Sequence, residues 1–464
     1  MVDTTPMPAV PGYALHVINV LEAAGHEAWV VGGWVRDALR GGPSHDVDIT
    51  CNARWEESAR VLRAAGIAVH ETGTQHGTVT AVVDGKPVEV TTYRVDGTYS
   101  DGRHPDQVLF VTSIEDDLAR RDFTVNAMAY HPTRGLLDPF GGQHDLARGV
   151  IRAVGEPERR FDEDALRILR AVRFACRMGF SVEGATAAAL AERVGSLKNV
   201  SRERIGSETD GIVRSGRLAW AMSAFPEVIT AAITEAAPMV GFDQRSPYHC
   251  HDVWQHTAQV VAGVEEFSGG TASPRLRWAS ILHDIGKPHT FTVGENGQGH
   301  FYGHPAAGAK MVHHVFRRLA LPGDLERQVT ALVRYHDRPV KATRHSVLRM
   351  LSDLDSACPG QARGLAFELL VLKRADAMGK APSFRGYACE VDKVEAMLRE
   401  TLSGHAPFRT SDLAISGRDV IGAAGLKPGP WVGEVLEQCL REVVHGRLPN
   451  DREAQLRWLT GHLG

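Results

Sequence analysis

Asp46 and Asp48 flank Val47 in the run DVDIT, whose composition is that of a strand, so the two carboxylates project from one face. Oxygen-only ligands beside a triphosphate suit magnesium. Two such ions would activate an attacking hydroxyl and neutralise a leaving pyrophosphate. Just upstream the strand AWVV runs into Gly32-Gly33, and Trp34-Val35-Arg36-Asp37 opens a helix. Backbone amides and Arg36 thus converge where a triphosphate could sit. Taken singly, each signal has a plainer reading: GG-x-x-R as a strand-to-helix turn, D-x-D as a solvated acidic edge. Glu89, in VEVTTYR, is a candidate third acid. Further on, Arg120-Arg121-Asp122 sets paired cations beside an acid able to accept from ribose hydroxyls. In 161–174, Asp164, Arg167, Arg170 and Arg173 recur every three residues, along one arc of a helix. A surface helix laced by i,i+3 ion pairs would read the same way.

A second constellation comprises His249, His251, His256, His283-Asp284, His304, His336-Asp337 and Asp376. Mixed imidazole and carboxylate donors suit a transition metal or magnesium. Any one of these histidines alone would pass for a polar surface residue.

Two kinds of element must position these groups. From about 10 to 155, the runs AWVVGG, DVDIT, IAVHET, GTVTAVV and KPVEVTTYR alternate with the helical WEESARVLRAAG, which predicts an α/β head. From about 160 onward EDALRILRAVRFACRMGF, ATAAALAERVGSL and GEVLEQCLREVVHG predict an all-α remainder. The fold class is therefore α+β. At 464 residues the chain is too long for one core, and an elongated assembly of two to four domains is expected. The polar, glycine-bearing segment 96–106, DGTYSDGRHPD, is a candidate mobile loop.

Charged residues at 23% and hydrophobic ones at 43% are those of a soluble protein, and no apolar run is long enough to cross a bilayer. MVDTTPMPAVPGYAL has no secretory pattern, so the cytoplasm is the expected location. Six scattered cysteines without a C-x-x-C pair argue against a disulfide framework or a structural zinc site. The net charge of −4 weighs slightly against a nucleic-acid partner, but arginine is concentrated between Arg148 and Arg177, a local basic stripe that can hold RNA.

Together, GGWVRD, DVDIT, the YSDGR loop, RRDFTVNAM, DPFGG, EDALRILRAVRF and SRERI, in that order over the first half of the chain, resemble the bacterial tRNA nucleotidyltransferase and poly(A) polymerase family, the class II CCA-adding enzymes distantly related to DNA polymerase beta. The resemblance implies a polymerase-beta-like head (1–155), a helical neck (156–243), a helical body (244–400) and a tail (401–464). It implies that Asp46 and Asp48 hold Mg2+ and that Gly33, Arg36, Arg121 and Asp122 contact CTP or ATP. Asp164, Arg167, Arg170 and Arg173 would complete the pocket, with Asp164 and Arg167 acting as a protein template. Cytosine and adenine each present an amino donor beside a ring-nitrogen acceptor, which a carboxylate and a guanidinium can both satisfy. Uracil and guanine present the reverse order.

The loop at 96–106 is the expected C-to-A switch. The order H…HD…D resembles an HD phosphohydrolase domain, which would make His256, His283, Asp284 and Asp376 ligands of a second divalent metal. His304 and His336 are further candidates. Such a domain would act on 2′,3′-cyclic or terminal phosphates. Residues 412–451 resemble the family segment that supports the tRNA elbow. The partners implied are tRNA, CTP and ATP, with no membrane, as a monomer or homodimer. Alternatives are an A-only or poly(A) polymerase and, from another class, an HD phosphohydrolase with a nucleotide-binding head. Intact Asp46 and Asp48 disfavour the latter, as they disfavour a non-catalytic RNA-binding protein.

Overall fold

The computed structural model describes residues 7, 9–42, 46–96, 108–404 and 406–463. The chain divides into two compact units, one formed by Met1–Ser215 with Glu227–Ala232, the other by Gly216–Pro226 with Ile233–Gly464.

The first unit opens with α1 (Gly12–Ala23), β1 (Ala28–Val31), α2 (Gly33–Leu39), β2 (Asp48–Cys51), α3 (Trp55–Ala64), β3 (Ala68–His70), β4 (Thr78–Val83) and β5 (Lys86–Thr92). The short pair β6 (Arg94–Asp96) and β7 (Val108–Phe110) follows, then α4 (Ile114–Ala119), β8 (Ala129–His131), β9 (Gly135–Leu137) and α5 (Gly142–Arg148). A seven-stranded sheet runs in the order β3-β4-β5-β2-β1-β8-β9. Every residue of β1 is buried, so its two faces both meet packed side chains. Ala28 and Val30 join Val17, Ile18 and Leu21 of α1 and Leu62 of α3 in the main core. Trp29 and Val31 face a smaller cluster with Ile114 and Leu118 of α4. In β5 the period of two is clean: Val88 and Val90 are buried, while Glu89 is exposed.

β10 (Val150–Ile151) leads into α6 (Pro157–Glu163), α7 (Leu166–Met178), β11 (Ser181–Val182), α8 (Gly184–Arg193) and α9 (Arg202–Val213). The single helix expected across 161–174 is thus two. Asp164 stands between them at φ −144, ψ 103, and its Oδ1 accepts from the Leu166 amide at 3.0 Å. Aspartate's short carboxylate competes with helical backbone for amide donors, so it favours the entrance of α7 over the interior of a helix. In the same way Asp46 precedes β2 rather than lying within it.

The second unit is helical: α10 (Leu218–Ala224), with α11 (Pro226–Ala232) returning to the first unit, then α12 (Val253–Phe267), α13 (Pro274–Leu282), α14 (Lys287–Thr290), the small pair β12 (Thr292–Val293) and β13 (Gly299–His300), α15 (His304–Arg318), α16 (Gly323–Tyr335), α17 (Arg344–Ala357), α18 (Ala362–Gly379), α19 (Tyr387–Ser403), α20 (Gly417–Ala424), α21 (Trp431–Val444) and α22 (Arg452–Leu463). α12 packs on α13 and α18. Among the described residues, no helix is long and apolar enough to cross a membrane. Cys51, Cys176, Cys358 and Cys439 are buried and Cys250 and Cys389 exposed, all as free thiols. Beyond Asp96, the loop at 96–106 lies outside the described residues.

Candidate functional site

In the sheet, Asp48 pairs with Val31 of β1 on one side and with Glu89 of β5 on the other. Residues opposite each other in a sheet share a face, so Asp48 and Glu89 stand side by side, solvent-facing, with Asp46 just before them. Lost hydration and the negative charges of Glu89 and Asp46 push the Asp48 carboxyl above the ordinary range, against the pull of Arg121. Crowded carboxylates of this kind are an electrostatic cost until a cation joins them, and an all-oxygen cluster fits a hard divalent ion.

Arg121 is brought to this edge by the turn after α4. Buried Asp117 on that helix accepts from Arg120 at 2.7 Å and from Arg121 at 3.4 Å. Sequence reasoning passed over Asp117, although its i+3 and i+4 spacing to the paired arginines was the available signal. Gly32, just ahead of Gly33, is the glycine that the backbone of this turn requires. At φ +71, ψ −130 it occupies backbone space closed to other residues, and a Cβ there would lie 3.1 Å from Arg121 Nη1. Gly33 carries no such demand, its nearest neighbour being Arg36 at 3.7 Å. Gly32→Ala is therefore expected to cost about 1–3 kcal/mol in denaturant unfolding and to displace Arg121, lowering nucleotide affinity. Unchanged stability would count against this reading.

Arg36 is 5% exposed and turned inward, donating to Asp37 at 2.8 Å and Asn126 at 2.7 Å and stacking over Phe174. Asp122 is closed over by Arg170, whose Nε and Nη2 reach its Oδ2 at 2.9 and 2.7 Å, and by Asn126 at 3.1 Å. Burial would raise the Asp122 carboxyl, yet Arg170 and Asn126 hold it at about 2. With the folded value depressed, the stability it contributes is full above the unfolded value near 4 and fades as pH falls towards 2. Acid unfolding of Asp122→Asn should lack that component, about 2 kcal/mol, while a D122N curve parallel to the parent would contradict it.

Arg173 pairs with Glu208 of α9 and lies over Phe174, as does Arg170. Arg167 is buried, its Nη1 donating to Glu163 at 2.8 Å and its Nη2 to the Arg120 carbonyl at 3.0 Å. The Asp164 Oδ2 accepts from Arg204 of SRERI at 2.7 Å. Glu163 and Arg204, neither singled out from sequence, thus fix the two groups expected to read the base. DPFGG and RRDFTVNAM lock together: Asp138 accepts from the amides of Gly142 and Gln143, and a Cβ on Gly142 would lie 2.3 Å from the Thr124 carbonyl.

In the second unit α12, the end of α13, the start of α15 and the end of α16 bring His256, His283, Asp284, His304 and His336 into one buried cluster, with half-buried Asp376 of α18 beside His256. His256 Nε2 lies 3.1 Å from Asp376 Oδ1 and 3.6 Å from Asp284 Oδ2. His283 Nε2 is 3.2 Å from Asp284 Oδ2 but too poorly aligned for a hydrogen bond, leaving both atoms buried without one. Despite burial, His283 and Lys287 hold Asp284 well below the carboxylate range, and Lys380 does the same for Asp376. Burial opposes a charged His283, but Asp284 outweighs it and raises the imidazole. The imidazole and carboxylate donors suit a divalent ion, which would displace Lys287 Nζ from its place 2.7 Å from Asp284 Oδ2. His249 and Asp337 line the adjoining cavity, and His251 is not part of the cluster. Burial and nearby Lys287 press the His249 imidazole down to about 3, keeping it neutral.

Residues 28–152 match the Poly A polymerase head domain, 248–379 the HD domain and 397–459 the tRNA nucleotidyltransferase domain 2. The chain is 32% identical to the CCA-adding enzyme of Streptococcus mutans serotype c over 96% of its own length and 95% of the relative's. It is 32% identical to that of Geobacillus stearothermophilus over 96% of both. The fold matches the crystal structure of the Bacillus stearothermophilus CCA-adding enzyme in complex with CTP with a TM-score of 0.69 at 30% identity, covering 97% of this chain and 96% of that one.

Proposed function

Because this chain belongs to the family of CCA-adding enzymes, we propose that Asp46, Asp48 and Glu89 form the acidic edge at which it joins nucleotides to tRNA. It is a divalent-metal-dependent nucleotidyltransferase that adds C, C and A to the 3′ end of tRNA from CTP and ATP without a nucleic-acid template. Near-full-length identity to CCA-adding enzymes favours this over A-only or poly(A) addition and over a purely nucleotide-binding head.

The observation that carries the assignment is the register that sets Asp48 beside Glu89, with Asp46 and Arg121 adjoining. Magnesium is the ion the oxygen donors suit, and when bound it supplies activation of the 3′-hydroxyl and neutralisation of pyrophosphate. The chain's own residues do the rest. Arg121, over Gly32, faces the triphosphate. Asp122 and Arg170 form one rigid pair at the ribose, Arg36 and Arg173 support it around Phe174, and Gly33 begins the helix beneath. Asp164 and Arg167 offer an acceptor and donors to the base edge.

The remaining assignments are a head at 1–155, a neck at 156–243, an HD body at 244–400 and a tail at 401–464 that meets tRNA phosphates by shape. The HD body holds a divalent metal on His256, His283, Asp284 and Asp376 and hydrolyses 2′,3′-cyclic or terminal phosphates. The enzyme works in the cytoplasm, as a monomer or homodimer. The deciding experiment offers tRNA transcripts ending before CCA, after C and after CC, with CTP, ATP or both. With both nucleotides each should be completed to CCA, and failure to add C from CTP would remove the reading. Hydrolysis of a 2′,3′-cyclic nucleotide should vanish in His283→Ala.

A further inference from the structure

The fold sorts the arginines of the basic stripe between 148 and 177 by their partners. Arg152 pairs with Asp145, Arg159, Arg160 and Arg167 with Glu163, Arg170 with Asp122 and Arg173 with Glu208. A guanidinium spent on a carboxylate of its own protein adds little to the outer field. Among the described residues, no carboxylate lies within ion-pair reach of Arg148 or Arg177, nor of Arg40 just past α2. All three are exposed.

The three gather in one place. Arg40 and Arg177 line a cavity of about 650 Å³, whose acid, Asp37, is already held by Arg36 at 2.8 Å. The Arg40 guanidinium lies 5.3 Å from the centroid of the half-buried Phe180 ring. A Cβ on Gly149, the neighbour of Arg148, would stand 3.4 Å from the same ring. Arg40 makes one long contact, from Nη2 to the Met178 carbonyl at 3.5 Å, which leaves most of its five N–H donors open.

A plainer account is available for each arginine taken alone. Arg40, Arg148 and Arg177 stand at the C-terminal ends of α2, α5 and α7, where a cation offsets the negative end of the helix dipole. That account does not require three unpaired cations around one ring and cavity of a chain whose net charge is −4. Like charges brought together repel unless an anion joins them.

We propose that Arg40, Arg148 and Arg177 form a docking surface for the sugar-phosphate backbone of the RNA substrate. The inference rests on the reading of the chain as a tRNA-extending enzyme and says where part of that RNA lies. Forked guanidiniums match phosphate oxygens in pairs, and a backbone supplies phosphates in series. The Phe180 face holds Arg40 ready for one of them. Phosphate contacts fix position without reading sequence, which leaves the choice of base to Asp164 and Arg167.

The test measures binding of a tRNA transcript ending in CC to the full-length chain over a series of NaCl concentrations. With R40A, R148A and R177A combined, the slope of log affinity against log salt should become shallower by about 2–3. With R40K, R148K and R177K it should stay near the parent's. Melting temperature and CTP affinity should follow the parent in both. A parental slope in the alanine variant overturns the docking surface, and a lowered melting temperature beside it would assign the arginines to the helix ends alone. Weaker CTP binding with a parental RNA slope would overturn it in favour of the nucleotide pocket. Should the triple alanine variant fail to fold, Arg177→Ala alone should lower the slope by about 1, and no change overturns the proposal. A parent that binds no tRNA overturns the enzyme reading as well.

Discussion

Asp48→Ala is expected to abolish nucleotide addition, with a loss of at least about 10³-fold in kcat, while leaving the fold as stable as the parent or more so. The reason is the position of this carboxylate. Strand pairing holds its backbone between Val31 and Glu89, which sets where the carboxylate emerges on the open face. Its carboxyl is pushed up by lost hydration and by Glu89 and Asp46. A carboxyl raised on folding costs stability once ionised, a cost present at neutral pH and relieved as pH falls through the folded value. Removing it should therefore sacrifice catalysis and relieve repulsion together, the usual signature of a functional rather than structural group. Single-nucleotide addition and a thermal melt on the same preparation check both halves. A variant that stays active would show the ion site to be elsewhere, and one that loses activity by unfolding would leave Asp48 a structural residue.

The second large effect is on choice of base. Asp164→Ala should lower kcat/KM for CTP and for ATP by about 10- to 150-fold, the cost of leaving a polar base edge unmatched in a partly enclosed pocket. UTP and GTP, which would present an acceptor to that carboxylate, should lose less or gain, so selectivity collapses faster than rate. Arg204 and Glu163 qualify the expectation. Arg204 holds the Asp164 Oδ2 at 2.7 Å and Glu163 holds Arg167 at 2.8 Å, so the pair proposed to read the base is already oriented by the protein itself. Arg204→Ala should therefore blur selectivity while leaving Asp164 in place, a smaller change in the same direction. Competition of the four nucleotides on one primer tRNA reads all of this. Equal losses for all four would mean that Asp164 only supports the pocket.

Some of this was present in the chain itself. Metal chemistry demands particular residue types at short spacing, so DVDIT and the His283-Asp284 pair could be recognised without knowing any distant contact. Runs of β-forming residues located β4 and β5 and put Glu89 in a strand, because strand pattern is a local property, and the structure then set Glu89 on the open face.

What local pattern could not carry was the pairing of distant segments. Glu89 joins Asp48 only because β5 runs parallel to β2 in one register, and a slip of one residue would have put Glu89 in the core. The arginines of 161–174 looked alike at three-residue intervals, but packing sorted them: Arg167 onto Glu163 and backbone carbonyls, Arg170 onto Asp122, Arg173 onto Glu208. Asp164 left the helix altogether, since its carboxylate caps α7 and meets an arginine 40 positions away. His304 and His336, further candidates outside the H…HD…D order, were tied to it only when α15 and α16 carried them to the far oxygen of Asp284. Which groups are able to bind metal and phosphate could be read from residue types alone, because that is a matter of side-chain chemistry. Which of them come together in one place depends on strand register and helix packing, and these are settled by burial of the whole apolar surface rather than by any short run of residues.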